Sequence, residues 1–92
     1  MYVRSEYGVF SEVIKEVDGW YILNTGCGVR KESVEVANTP FELIKRGDLV
    51  KFEDGDMLHV KNMSVLIIKC QITTIYTLNI NGDYIKQWEV EQ

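Results

Sequence analysis

The chain of 92 residues contains one alanine (Ala37), one proline (Pro40), one histidine (His59) and two cysteines (Cys27 and Cys70). Each shortage excludes something. Alanine is the strongest helix former, so its near-absence argues against a helical bundle. With one histidine, any Ser-His or Cys-His nucleophilic pair has to be built on His59. Cys27, His59 and Cys70 are too far apart to form a CxxC or HxxxH element, so no metal site is expected. The thiols are expected to be reduced, Cys27 in a loop and Cys70 in or near the core beside Ile68 and Ile72. No apolar run approaches the length of a membrane-spanning helix, and the opening MYVRSEYGVF lacks the apolar core of a signal peptide. Lys and Arg number 10 against 14 Asp and Glu, a net charge of −4. That balance excludes a broad basic surface for nucleic acid and disfavours an anionic membrane. No cofactor is expected either, because Gly26-Cys27-Gly28 falls short of a dinucleotide fingerprint and no P-loop follows it.

What the chain has in quantity is β-branched residues, with 11 Val, 9 Ile and 5 Thr. Their side chains lose rotamer freedom in a helix and fit a pleated sheet. Three two-residue turn signals lie between apolar stretches: Asp18-Gly19, Asp54-Gly55 and Asn81-Gly82. Read as type I′ turns, they predict three hairpins: Val9–Val17 with Trp20–Asn24, Asp48–Glu53 with Met57–Lys61, and Ile72–Ile80 with Asp83–Val90. Val65-Leu66-Ile67-Ile68 reads as a further strand, buried on both faces. One short helix is predicted over Pro40–Arg46. Thr39 serves as cap, Glu42 as capping-box partner and Gly47 as terminator, and Leu43 and Ile44 turn toward the sheet. Six or seven strands in so short a chain have to curl around one core. The expected fold is therefore mainly β, a small SH3-like or OB-like barrel forming a single domain over residues 1–92.

Chemistry is sparse. In the predicted register His59 opposes Val50 on the face of Phe52 and Met57, the place of a sheet residue rather than a base. Glu53, Asp54 and Asp56 surround a turn tip, where carboxylates solvate a loop, and their spacing is not that of a calcium loop. No catalytic residue is assigned and the protein is not expected to be an enzyme. The aromatic residues carry more. A two-residue turn at Asn81-Gly82 sets Asn79 against Tyr84, Thr77 against Lys86 and Ile75 against Trp88. If the opposite face, with Leu78, Ile80 and Ile85, enters the core, then Tyr84, Lys86 and Trp88 form an exposed aromatic-basic stripe. The alternative places Trp88 with Ile75 in the core. In the first hairpin Val13, Val17, Trp20 and Ile22 share one side, and Phe10, Ile14, Tyr21 and Leu23 the other. A small monomer covers both only if the sheet bends sharply; otherwise a partner buries the side carrying Trp20 or Tyr21.

The tail from Ile75 to Val90, the opening Tyr2-Val3-Arg4-Ser5-Glu6 and the stretch from Glu42 to Val50 resemble small uncharacterised proteins encoded by phages and prophages of Firmicutes. The tail departs from that group at Leu78 and Ile80, where Pro and Ser are expected, and Glu53–Gln71 is unmatched. The resemblance implies a setting, the bacterial cytoplasm and the contest between phage and host, and no active site. The leading expectation is a non-catalytic accessory protein that binds and modulates a host protein. The alternatives are a small-barrel module for single-stranded nucleic acid or a nucleotide-like ligand, and a structural component that forms homo-oligomers.

Overall fold

A computed structural model describes residues 1–62 and 71–91. The chain is mainly β, with nine strands in two antiparallel sheets among the described residues. The contacts gather it into two units, Met1–Leu43 and Ile44–Gln92. The strand predicted at Val65–Ile68 and the placement of Cys70 lie outside the described residues.

The first unit holds β1 (Tyr2–Ser5), β2 (Phe10–Val17), β3 (Trp20–Leu23), β4 (Gly28–Arg30) and β5 (Val34–Ala37). They lie in the order β4-β3-β2-β1-β5. Val3, Tyr21 and Leu23 are buried at its centre, with Val13, Val29 and Val34 packed around them. The second unit holds β6 (Leu49–Phe52), β7 (Met57–His59), β8 (Ile72–Leu78) and β9 (Tyr84–Glu89), in the order β7-β6-β8-β9. Val50, Phe52, Ile72, Ile75 and Thr77 are buried there. Neither sheet closes on itself among the described residues.

The three expected hairpins are present, but none of their turns is type I′. That turn needs positive φ at both central residues, and among the described residues only glycines have it. At Asp18-Gly19 the two-residue loop survives, since Val17 pairs with Trp20. Its φ is positive at Gly19 alone, the sign pattern of a type II turn. At the other two, the loop is one residue longer. Gly55 N donates to Phe52 O and Phe52 N to Asp56 O; likewise Gly82 N donates to Asn79 O and Asn79 N to Asp83 O. This is a type I turn closed by a left-handed glycine, with φ of 93° at Gly55 and 85° at Gly82. The same bond pairs recur at Ser5–Val9 and Leu23–Cys27, joining β1 to β2 and β3 to β4.

One extra loop residue moves every cross-strand partner by one position and each side chain to the other face. His59 therefore opposes Leu49 rather than Val50, and Met57 opposes Lys51, away from buried Val50 and Phe52. Tyr84 opposes Leu78 rather than Asn79, and Lys86 opposes Tyr76 rather than Thr77. β-Bulges change the faces again. An extra residue at Ile14 in β2 brings Val13 opposite Leu23, so Val13 joins Tyr21 and Leu23 rather than Trp20. Extra residues at Thr73 in β8 and Gln87 in β9 set Ile72 against Phe52 and Trp88 against Ile75.

The predicted helix is shorter than expected, a 3-10 helix over Pro40–Leu43. Half of the capping box forms, with Thr39 N donating to Glu42 Oε2 at 3.4 Å, while Thr39 Oγ1 is buried with no partner found. Continuation as an α-helix would require Gly47 N to donate to Leu43 O. Both groups are committed elsewhere: Leu43 O accepts from Arg4 Nη1 at 2.8 Å, and Gly47 N donates to Val60 O at 2.8 Å. Lys45 N donates to the buried Asp48 carboxylate at 2.8 Å, so the chain turns into β6. Leu43 and Ile44 are both buried, as their positions in the predicted helix implied.

Candidate functional site

Two sheet faces carry aromatic side chains that water still reaches. In the first unit, the face opposite the Tyr21 core bears Val17, Trp20 and Ile22, because Val17 pairs with Trp20 and Ile22 lies two residues further along β3. Trp20 is 40% exposed, Val17 39%, and Ile14 at the bulge 63%. Arg30, opposite Trp20 on β4, sets its guanidinium carbon 5.4 Å from the indole centroid. An arginine over an aromatic face is attracted by the ring quadrupole. Tyr21 points the other way and is 8% exposed. Lys31 Nζ lies 5.1 Å from its ring centroid and is held by Glu16 at 3.3 Å.

In the second unit, the outer face is assembled from all four strands. His59 on β7 opposes Leu49 on β6, Leu49 opposes Tyr76 on β8, and Tyr76 opposes Lys86 on β9. A parallel row contains Met57, Lys51, Thr74 and Glu89. On the other side of the first row sit Leu78 and Tyr84. The Tyr84 hydroxyl donates to Gly47 O at 3.2 Å and lies 3.2 Å from His59 Nδ1. A hydroxyl carries one proton, so His59 Nδ1 is the donor of that second bond. The two rings meet at a tilt, centroids 5.4 Å apart. Lys86 Nζ is 3.4 Å from Glu89 Oε2, and both side chains are more than half exposed.

Of the residues singled out from the sequence, Tyr84 and Lys86 share this outer face, whereas Trp88 is half-buried on the opposite one with Ile75. Trp20 is on the exposed face of the first sheet and Tyr21 in its core. Sequence reasoning missed His59, Leu49, Lys51 and Tyr76 as neighbours of Tyr84 and Lys86. For Tyr76 a signal was available in Asn79-x-x-Gly82, since Asn opening and Gly closing four residues is the pattern of a type I turn, and Ser5-x-x-Gly8 repeats that pattern in the first unit. Asn79 Oδ1 accepts from both Asn81 N and Asp83 N at 2.9 Å, and Ser5 Oγ accepts from Tyr7 N and Val9 N at 3.2 Å.

Among the described residues no group of three or more His, Cys, Asp or Glu is arranged to hold a metal ion. The carboxylates at the β6–β7 tip are exposed, and Asp54 Oδ1 accepts from Asp56 N at 2.9 Å. Cys27 is an exposed free thiol in the β3–β4 turn. Among the described residues no helix is long and apolar enough to cross a membrane. Comparison with protein-family models, with curated proteins and with solved structures finds no match to this chain.

Proposed function

We propose that this chain is a non-catalytic phage or prophage accessory protein that binds a bacterial host protein and modulates or inhibits it, using the Val17, Trp20 and Ile22 face as its contact. The observation that carries this reading is the exposure of Trp20 between two aliphatic side chains with Arg30 over its ring. Trp and Arg are the residues most often found where a few side chains supply most of the affinity of an interface. The net charge of −4 favours encounter with a basic surface, such as that of a protein which handles nucleic acid. The resemblance of the tail to phage-encoded proteins supplies the setting, the cytoplasm of a bacterial host. The proposal retains one domain and the small SH3-like or OB-like barrel, whose support is the run of short antiparallel strands joined by tight turns.

The test is affinity capture from a bacterial lysate at low salt with the wild-type chain and with Trp20→Ser. A protein retained by the wild type, lost by the variant, and bound by the purified wild type at least tenfold more tightly supports the reading. Equal capture by both chains, or no enriched protein at all, refutes it. Sedimentation over a concentration series tests the structural alternative: self-association abolished by Trp20→Ser assigns this face to a second copy instead.

A further inference from the structure

We propose that β9, at the edge of the second sheet, is a dimer interface that pairs antiparallel with β9 of a second copy of this chain. The surface is distinct from the Trp20 face and independent of the host-protein reading. β9 has only β8 as a neighbour among the described residues, and an edge strand presents N–H and C=O groups that template another strand. At six residues it is the longest of the four edge strands; β4 and β7 have three residues and β5 four. Its open side can be placed. Asp83 O and Val90 N bond to Asn79 N and Thr73 O. By the alternation of an antiparallel ladder, with the bulge residue Gln87 passed over, Tyr84, Lys86, Glu89 and Glu91 turn their backbone groups toward the edge. Burial also stops short at this strand. Ile75 and Thr77 of β8 are buried, whereas Ile85, opposite Thr77, is 45% exposed and Val90, on the same side by alternation, 38%.

The order of side chains selects a second copy as the occupant and fixes the register. With Gln87 passed over, β9 and its continuation alternate between the outer face (Tyr84, Lys86, Glu89, Glu91) and the core side (Ile85, Trp88, Val90), with Trp88 central. A two-fold contact repeats every pair. An axis at Trp88 sets Lys86 opposite the partner's Glu89, Ile85 opposite the partner's Val90 and Tyr84 opposite the partner's Glu91. Opposite charges directly across an antiparallel pair are favourable and like charges are not. An axis at Lys86 or at Glu89 would set two ammonium groups or two carboxylates face to face. Glu89 and Glu91 also line a cavity of about 510 Å³ with Lys51, Thr73, Thr74 and Val90. Its two carboxylates outnumber its one ammonium, which suits entry of the partner's Lys86. Within one chain Lys86 Nζ already lies 3.4 Å from Glu89 Oε2, but both side chains are more than half exposed, so that contact is weak and readily exchanged.

Sedimentation equilibrium over a concentration series at low salt tests this, with a dichroism spectrum to check that each chain is folded. The wild type should be a weak, concentration-dependent dimer, since one strand edge buries less than a standard interface. Lys86→Glu and Glu89→Lys each turn both charge pairs of the dimer into like-charge pairs, and each should raise the dimer dissociation constant about tenfold. The decisive sample is an equimolar mixture of the two variants. Every outer-face charge pair is then again between opposite charges, so the mixture should associate as tightly as the wild type although neither variant does so alone. Each substitution also breaks the Lys86–Glu89 contact within its own chain, and mixing cannot restore that contact, so recovery reports the interface. A wild type that stays monomeric at every concentration overturns the proposal. So does association that neither substitution weakens, or a mixture no tighter than the variants alone. Association lost in Trp20→Ser and kept in both charge variants overturns it as well. Trp20→Ser should leave the β9 dimer intact and the charge variants should leave lysate capture unchanged, so failure here and failure of the host-protein reading are distinguishable.

Discussion

Two glycine substitutions with opposite expected signs test the turn geometry on which both faces depend. Gly82 has φ of 85°, and a Cβ built on it meets nothing within 4 Å. The effect of Gly82→Ala is therefore conformational, without a steric contribution. Holding an L-residue in the left-handed region costs about 1–2 kcal/mol. Restriction of the unfolded chain returns about 0.4–1 kcal/mol, leaving a net loss of about 1 kcal/mol. Gly28, inside β4, lies outside the left-handed region, and its Cβ would sit 3.5 Å from Ile22 Cδ1 and 3.6 Å from Trp20 Cε3. Those are ordinary contact distances. Gly28→Ala should therefore stabilise the chain by about 0.5–1 kcal/mol, through the unfolded state and through added contact. Urea denaturation followed by circular dichroism measures both, and at this chain length the midpoints of thermal unfolding should differ by roughly 8 °C. Gly82→Asn should lose less than Gly82→Ala, because asparagine tolerates positive φ. If Gly82→Ala matches the wild type, or if Gly28→Ala is the more damaging of the two, the three-residue loop and the register it imposes are wrong.

The remaining expectations concern burial and cooperativity. Ile75 is fully buried opposite Val50, so Ile75→Ala should cost about 2–5 kcal/mol in the same urea assay. Ile80 is 93% exposed at the β8–β9 tip, and Ile80→Ser should stay within about 0.5 kcal/mol of wild type. Asp48→Ala removes the carboxylate that accepts Lys45 N from a position 3% exposed, for an expected loss of about 1–3 kcal/mol. If residues 1–92 fold as one domain, each of the two single-tryptophan chains, made by Trp88→Phe and Trp20→Phe, should show the same unfolding midpoint by tryptophan fluorescence as by circular dichroism. The first retains its indole in Met1–Leu43 and the second in Ile44–Gln92, and neither segment alone buries much surface. Two separated transitions would refute the single domain.

The class of fold was legible because composition and turn residues act locally. β-Branched side chains and Asp-Gly or Asn-Gly pairs bias the backbone wherever they stand, and all three expected hairpins exist. Loop length was not legible from those pairs, because glycine satisfies a type II, a type I′ and a type I-plus-bulge turn equally well. The helix failed for a related reason. Its capping residues are local, but the competitors for its carbonyl and amide groups, Arg4 at Leu43 O and Val60 O at Gly47 N, come from positions far along the chain. Leu43 and Ile44 were nevertheless legible as buried, since their apolar character does not depend on which helix type carries them.

The last hairpin shows why a slip and a bulge occur together. With a two-residue turn and the Ile75–Thr77 face buried, Lys86 would oppose Thr77 and lie inside, where an unpaired ammonium is costly. The longer loop turns Lys86 outward beside Tyr76 and brings Ile85 opposite Thr77. Continued without interruption, that register would set Gln87 against buried Ile75 and Trp88 against Thr74 on the outer face. The extra residue at Gln87 restores the pairing of Trp88 with Ile75, so the largest apolar side chain of β9 faces inward and the lysine still faces out. Two apolar residues, Ile85 and Trp88, are thus placed on one side of a strand in which simple alternation separates them. The strand Tyr84-Ile85-Lys86-Gln87-Trp88 is compatible with either face at the level of period two. The energy that selects between them is the burial of one indole against the exposure of one ammonium, and it depends on Val50 and Ile75 lying in the adjoining strands.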